Sequence, residues 1–315
     1  MSLPLRSGSG YAESVVSHLV GGLSPPASKL WDSGFDSFEP TPIWGLHDEI
    51  HARLGPLVRE LCSSAPGIAM HAGACGLGRG RGLLLPGGSK AGKSTLVTAL
   101  AIHREAHVVG DDVVLVGANG VEGIGAPLAI RRNSPFWPCA RDLWFADDSE
   151  RVLVRPEDLG CAEMSYSTTI DVVVFPQMTP DSVGLEALSA PATFCRLMGS
   201  LMRKVTALEV LVVARMATDC PGYSMTYSDV QTSLRLCDEA LADTMQPIDL
   251  KPGLLEPPEL EGLSDDVVGI RFGDDVVLLI PSSREVVHLR EWEPGHVLST
   301  TARQQLRQRF ALEKQ

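Results

Sequence analysis

Three observations predict an α/β fold for this chain. Apolar strand-like runs alternate with helical stretches between residues 64 and 245, a glycine-rich loop separates one such strand from one such helix, and the next buried strand ends in two adjacent aspartates. At 315 residues the chain is long enough to bury a full core, and 44% apolar with 21% charged residues is an ordinary globular composition.

Residues 1–45 are rich in Ser, Gly and Pro (SGSG, GGLSPPAS, FEPTP) and read as a loosely ordered lead-in with one short helix around Tyr11–Leu19. A helix is expected over 46–63, where Leu46, Ile50, Leu54, Leu57 and Leu61 recur at helical spacing, with Pro56 bending or splitting it. Strands are expected at Ile68–Cys75 and Gly82–Leu85 around the turn GLGRGRG, then a loop over Pro86–Ser94 and a helix over Thr95–His103. The runs Ala106–Val109, Val113–Val116, Thr169–Phe175 and Ala207–Ala214 predict further strands, and helices are expected near Ala192–Lys204 and Ser228–Ala242. After Met245 a Pro- and acid-rich stretch leads into VVGIRFGDDVVLLIPSSREVVHL, which predicts two or three short strands turned at Gly273-Asp274 and Pro281-Ser282, before a helix starting near Ser299. The expected organisation is a lead-in (1–45), a P-loop domain (46–245) and a small β-rich carboxy-terminal appendix (246–315) forming its own unit.

The loop carries the strongest chemical signal. Gly87-Gly88-Ser89-Lys90-Ala91-Gly92-Lys93-Ser94, followed by Thr95, fits G-x-x-x-x-G-K-[ST]. A phosphate held by backbone N–H groups needs glycines for the dihedrals and the close approach. Lys93 then supplies charge to the β/γ oxygens, Ser94 offers a hydroxyl to Mg²⁺, and the following helix aims its positive end at the anion. Both flanks agree with the motif: RGLLLP is a strand before it and STLVTALAIH a helix after it. The companion acid is expected at Asp111-Asp112, directly after AHVVG, where two carboxylates suit two tasks, one on metal and one on a substrate proton.

The segment HAGACGLGRGRGLLLPGGSKAGKSTLVTAL, followed by HVVGDDVVLV, resembles the catalytic domain of the HPr kinase/phosphorylase family, and still more its divergent relatives found beside ribosomally made peptide pathways. The resemblance is strongest over residues 70–117 and leaves out the first 45 residues and the appendix. It implies a P-loop core of HPr-kinase type that uses ATP and Mg²⁺. In that core Lys93 and Ser94 hold phosphate and metal, Asp111 is the base that deprotonates an acceptor hydroxyl, Asp112 lies near the metal, and His71 orients the acid pair. It also leaves room for a homo-oligomer. Two departures bear on the acceptor. Lys90 stands where HPr kinases carry glycine, and the glycine-rich arginine signature that follows the acids in proteins acting on HPr is missing. The expected acceptor is therefore serine of another peptide or small protein; a metabolite kinase and a nucleotide-binding scaffold without turnover are the alternatives.

Arg131-Arg132 are candidates to offset charge during phosphoryl transfer. His47-Asp48-Glu49-Ile50-His51 has two histidines one helical turn apart, but lacks the Glu directly after the first His that a zinc-protease motif requires. A formal net charge of −12 disfavours nucleic acid and anionic membranes as partners. No uncharged apolar run reaches the roughly 20 residues of a membrane span. Seven scattered cysteines without a CxxC pair, and an amino terminus unlike a signal peptide, lead to the expectation of a cytoplasmic protein.

Overall fold

The computed structural model describes residues 46–64, 67–118, 120–143, 150–243, 251–255, 267–280 and 285–289. The helices expected around Tyr11–Leu19 and from Ser299 lie outside these residues. Helix α1 (Leu46–Ser64) runs through Pro56 as one element, so the expected split does not occur. Its stripe Ile50, Leu54, Leu57 and Leu61 is buried, and this tertiary packing outweighs the hydrogen bond that Pro56 cannot donate.

The centre is a nine-stranded mixed sheet. Its strands are β1 (Ile68–Leu77), β2 (Arg81–Pro86), β3 (His107–Gly110), β4 (Val113–Gly117), β5 (Gly120–Gly123), β8 (Ser167–Thr168), β9 (Val172–Met178), β10 (Gly184–Leu188) and β11 (Gly222–Tyr227). Strand order is β10-β11-β9-β2-β1-β4-β5-β8, with β3 also paired to β1. Strand β1 is long enough to pair with β4 over Ile68–His71 and with β3 over Ala74–Gly76, and the register of the β3 pairing shifts between Ala74 and Cys75. Strands β2, β9 and β11 are parallel neighbours. Their carboxyl ends (Pro86, Met178 and Tyr227) therefore open on one edge of the sheet, the edge where open α/β sheets place their ligands. A separate hairpin of β6 (Leu128–Arg131) and β7 (Arg151–Val154) lies close by, with the short helix α3 (Trp137–Leu143) between its strands in sequence.

One sheet face packs against α2 (Lys93–Arg104) and α6 (Val230–Ala242), burying Leu96, Leu100, Leu234 and Cys237 with Leu83, Leu85 and Val174. The other face takes α4 (Ala190–Gly199) and α5 (Ala207–Asp219). Residues 207–214, expected as a strand, form the first part of α5. An apolar run such as LEVLVVA has no period that separates a buried strand from a buried helix. The local signal was the cap. Thr206 accepts from the Glu209 N–H while Glu209 accepts from the Thr206 N–H, and Arg203 holds the Glu209 carboxylate.

The carboxy-terminal strands β12 (Gly253–Leu254), β13 (Val268–Phe272), β14 (Asp275–Ile280) and β15 (Glu285–Leu289) form a four-stranded antiparallel sheet. This sheet does not stand apart as a separate unit. Ile270, Phe272, Val277 and Leu279 join the core of α4 and α5, with the Phe194 and Phe272 rings 5.4 Å apart. Cutting the chain near Met245 would therefore strip one face of that core.

Backbone contact is tightest at the start of β2, the end away from the Gly87–Gly92 loop. A Cβ built on Gly82 would lie 1.7 Å from the Thr169 carbonyl oxygen, which no side-chain rotation can relieve. Gly82→Ala is therefore expected to cost at least the upper part of the roughly 1–3 kcal/mol typical of overpacking. A urea unfolding midpoint equal to that of the parent chain would show that the strands can part cheaply there.

Candidate active site

The loop from Gly87 to Gly92 leaves β2 and enters α2 directly. Gly92 caps the helix at φ +94°, a conformation that glycine adopts without strain, and its carbonyl accepts from the Leu96 N–H at 2.9 Å. A side chain there would also collide with the Tyr227 hydroxyl, 1.8 Å from the ideal Cβ. Lys90 adopts φ +67°, a conformation that costs a non-glycine residue about 1–2 kcal/mol. The Lys93 ammonium is held inside this curve, donating to the carbonyls of Gly87 and Gly88 at 2.9 Å each. The N–H groups of Ser89, Lys90, Gly92 and Lys93 meet no acceptor among the described residues. Ser94 and Thr95 occupy the first turn of α2, whose N–H groups have no intrahelical partners. A curve of unpartnered donors around a buried ammonium fits a chain of phosphates.

Lys93 is only 5% exposed, and burial lowers its pKa against the opposing pull of Asp112 and Asp111. Both acids sit in the turn between β3 and β4, beside β1. His71 on β1 places Nε2 2.8 Å from Asp112 Oδ1 and 3.0 Å from Lys93 Nζ. An ionised carboxylate can only accept, so Nε2–H donates to Asp112, leaving the Lys93 protons to the two glycine carbonyls.

The carboxylates face different surroundings. Asp111 is 6% exposed, accepts from the Ala129 N–H of β6 at 3.3 Å, and has the Ser94 hydroxyl close enough to favour its ionised form. Burial, then the neighbouring Asp112 charge, nevertheless raise its pKa to about 6. The Asp112 side chain is 68% exposed, and the hydrogen bond from His71 holds its pKa below the ordinary value. The structure thus sets Asp111 beside Ser94 and Asp112 in the open beside His71.

Of the two arginines, Arg131 is the one brought to the site. It ends β6, two residues beyond the Ala129 N–H that binds Asp111, and its charge acts on Lys93. It makes no ion pair with any described residue. Arg132 instead places its guanidinium 5.9 Å from the Trp137 ring centroid. The HDEIH segment serves to dock α1. His47 Nδ1 accepts from the Leu153 N–H at 3.1 Å, while Asp48 accepts from Arg151 Nε at 2.9 Å and the Glu150 N–H at 3.2 Å. No group of three or more potential metal-ligating His, Cys, Asp or Glu occurs among the described residues. Sequence reasoning missed Arg151 and Tyr227. Neither lies in a motif, and both reach the site only through tertiary packing.

The raised pKa of Asp111 has a measurable consequence. The folded state holds this proton more tightly than the unfolded chain, whose reference value is 3.8. The resulting stability is complete at low pH and is lost as pH rises through about 6. In metal-free buffer Asp111→Asn should abolish that loss and exceed the parent in stability at pH 7.5, by on the order of 2–3 kcal/mol. Parallel urea titrations at pH 5 and pH 7.5 test this, and an identical pH slope in both proteins would contradict it.

No known family model matches the chain, and no curated protein matches it by sequence. Among solved structures it is similar to the Hpr(Ser) kinase/phosphatase from Coxiella burnetii, at 13% identity and a TM-score of 0.31, over 54% of this chain and 94% of that one. No helix among the described residues is long and apolar enough to cross a membrane.

Proposed function

We propose that the chain is a kinase that transfers the terminal phosphate of Mg²⁺-bound ATP to a hydroxyl, with serine of a peptide or small protein as the acceptor. The carrying observation is that a loop of unpartnered N–H groups around Lys93 meets two adjacent carboxylates in opposite environments. A scaffold that only bound nucleotide would have no use for the second, exposed acid.

The loop N–H groups and Lys93 bind the phosphate chain, and Ser94 and Asp111 form the pair of hard oxygen ligands suited to Mg²⁺. When bound, the metal supplies positive charge that screens the β- and γ-phosphate oxygens. Asp112, kept ionised and oriented by His71, accepts the proton of the acceptor hydroxyl as its oxygen attacks phosphorus. The new P–O bond forms as the bond to the β-phosphate oxygen breaks, releasing ADP. Lys93 and Arg131 offset the charge spread over the equatorial oxygens. The openness around Asp112 supports a bulky acceptor, since a metabolite kinase would enclose its base.

The test is incubation with γ-labelled ATP, Mg²⁺ and a serine-containing peptide library. The expected result is labelled phosphoserine with an equal amount of ADP. ATP binding with no transfer of the label, even to water, would leave a nucleotide-binding scaffold as the reading.

A further inference from the structure

Beside Asp111 the site is walled by the β6–β7 hairpin, on which α1 packs. Arg131 and Arg151 are direct cross-strand partners there, so their side chains emerge on the same face. Arg151 is held from behind, its Nε donating to Asp48 Oδ1. Its Nη1 lies 3.2 Å from Nδ1 and 3.0 Å from Nε2 of His51. A donor in the plane of an imidazole cannot be nearly equidistant from both nitrogens without striking the carbon between them. The guanidinium therefore lies over the ring face, the stacked arrangement arginine adopts on aromatic rings.

That stacking fixes the ring and leaves both in-plane positions of its nitrogens open. Neither nitrogen hydrogen-bonds any other described residue. The ring is also close to the acids, since Asp112 and Arg131 both act electrostatically on it. Burial and the Arg151 charge lower the His51 pKa, so the ring is neutral near pH 7 and carries one N–H donor and one acceptor.

Resting on the reading of the P-loop as a nucleotide site, we infer that His51 donates its in-plane N–H to the terminal phosphate of the bound triphosphate, with Arg151 and Asp48 as the residues that position the ring. A phosphate chain that starts at the N-terminus of α2 and passes Lys93 has its free end between Lys93 and this wall. The end group carries the negative charge that Arg131, Arg151 and a histidine donor complement. An uncharged acceptor hydroxyl would need none of them.

The inference predicts discrimination between ATP and ADP, measured by calorimetric titration of each nucleotide with Mg²⁺. His51→Phe keeps a ring for Arg151 to stack on but has no donor. It should bind ATP about ten- to a hundredfold more weakly than the parent, as expected for loss of a hydrogen bond to a charged group, with ADP affinity unchanged. His51→Gln, which keeps a donor, should recover part of the ATP affinity. Unchanged ADP binding also shows that the P-loop has remained folded. Equal losses for ATP and ADP, or no loss for either, would overturn the assignment while leaving the nucleotide site intact. Failure of the parent chain to bind either nucleotide would overturn both.

Discussion

Replacing Asp112 with asparagine is expected to slow phosphoryl transfer by roughly 10²–10⁴-fold, the contribution attributed to a positioned general base. Asparagine keeps the size of the side chain and a partner for His71, but it cannot accept the acceptor's proton. The exposed position of Asp112 means that little packing is disturbed, and Mg-ATP should still bind. Asp111→Asn should behave differently. It removes a carboxylate from beside Ser94, so its defect should shrink as Mg²⁺ is raised, while that of Asp112→Asn should not. A magnesium titration of transfer rate for both variants separates the two roles. Rescue of Asp112→Asn but not of Asp111→Asn would restore the division first suggested by the sequence.

The second large effect concerns Lys93. Its ammonium is buried inside the loop and bonded only to carbonyls that a bound phosphate would supplement. Lys93→Met keeps the aliphatic stem that packs at the start of α2 and removes the charge. ATP affinity should fall by about a hundredfold or more, since charge-assisted bonds to phosphate are lost together with loop closure. Folding should change little, because burial already opposes the charged form of this lysine and the freed carbonyls can turn to water. Equal ATP affinity in Lys93→Met and the parent would detach the lysine from nucleotide binding.

The order strand, glycine-rich loop, helix could be read from the sequence because its determinants are local. Glycine spacing, a preceding apolar strand and a following helix lie within a few tens of residues, and β2, the loop and α2 follow one another in that order. Asp111-Asp112 was legible for the same reason, ending the apolar run that becomes β3. Their individual roles were not. Both acids lie in the turn after β3, where no strand alternation assigns their directions, and only the tertiary position of Ser94 and His71 decides which acid faces which. Arg151 illustrates the same limit, since its partners Asp48 and His51 lie about 100 residues earlier in the chain. The strand expected at 207–214 failed where a short apolar run outweighed the Thr206–Glu209 cap. The appendix was detected by its change of composition, but composition cannot reveal that Phe272 packs tilted against Phe194 in the core beneath the main sheet.

The central claim is that the loop from Gly87 to Thr95, with Asp111, forms a Mg²⁺-dependent nucleotide site, and calorimetric titration of the unaltered chain with ATP tests it most directly. With Mg²⁺ present the account predicts saturable binding of one ATP per chain, markedly weakened when the metal is chelated. A folded chain that takes up no ATP at millimolar nucleotide with Mg²⁺ present, or binds it equally well without the metal, would contradict it.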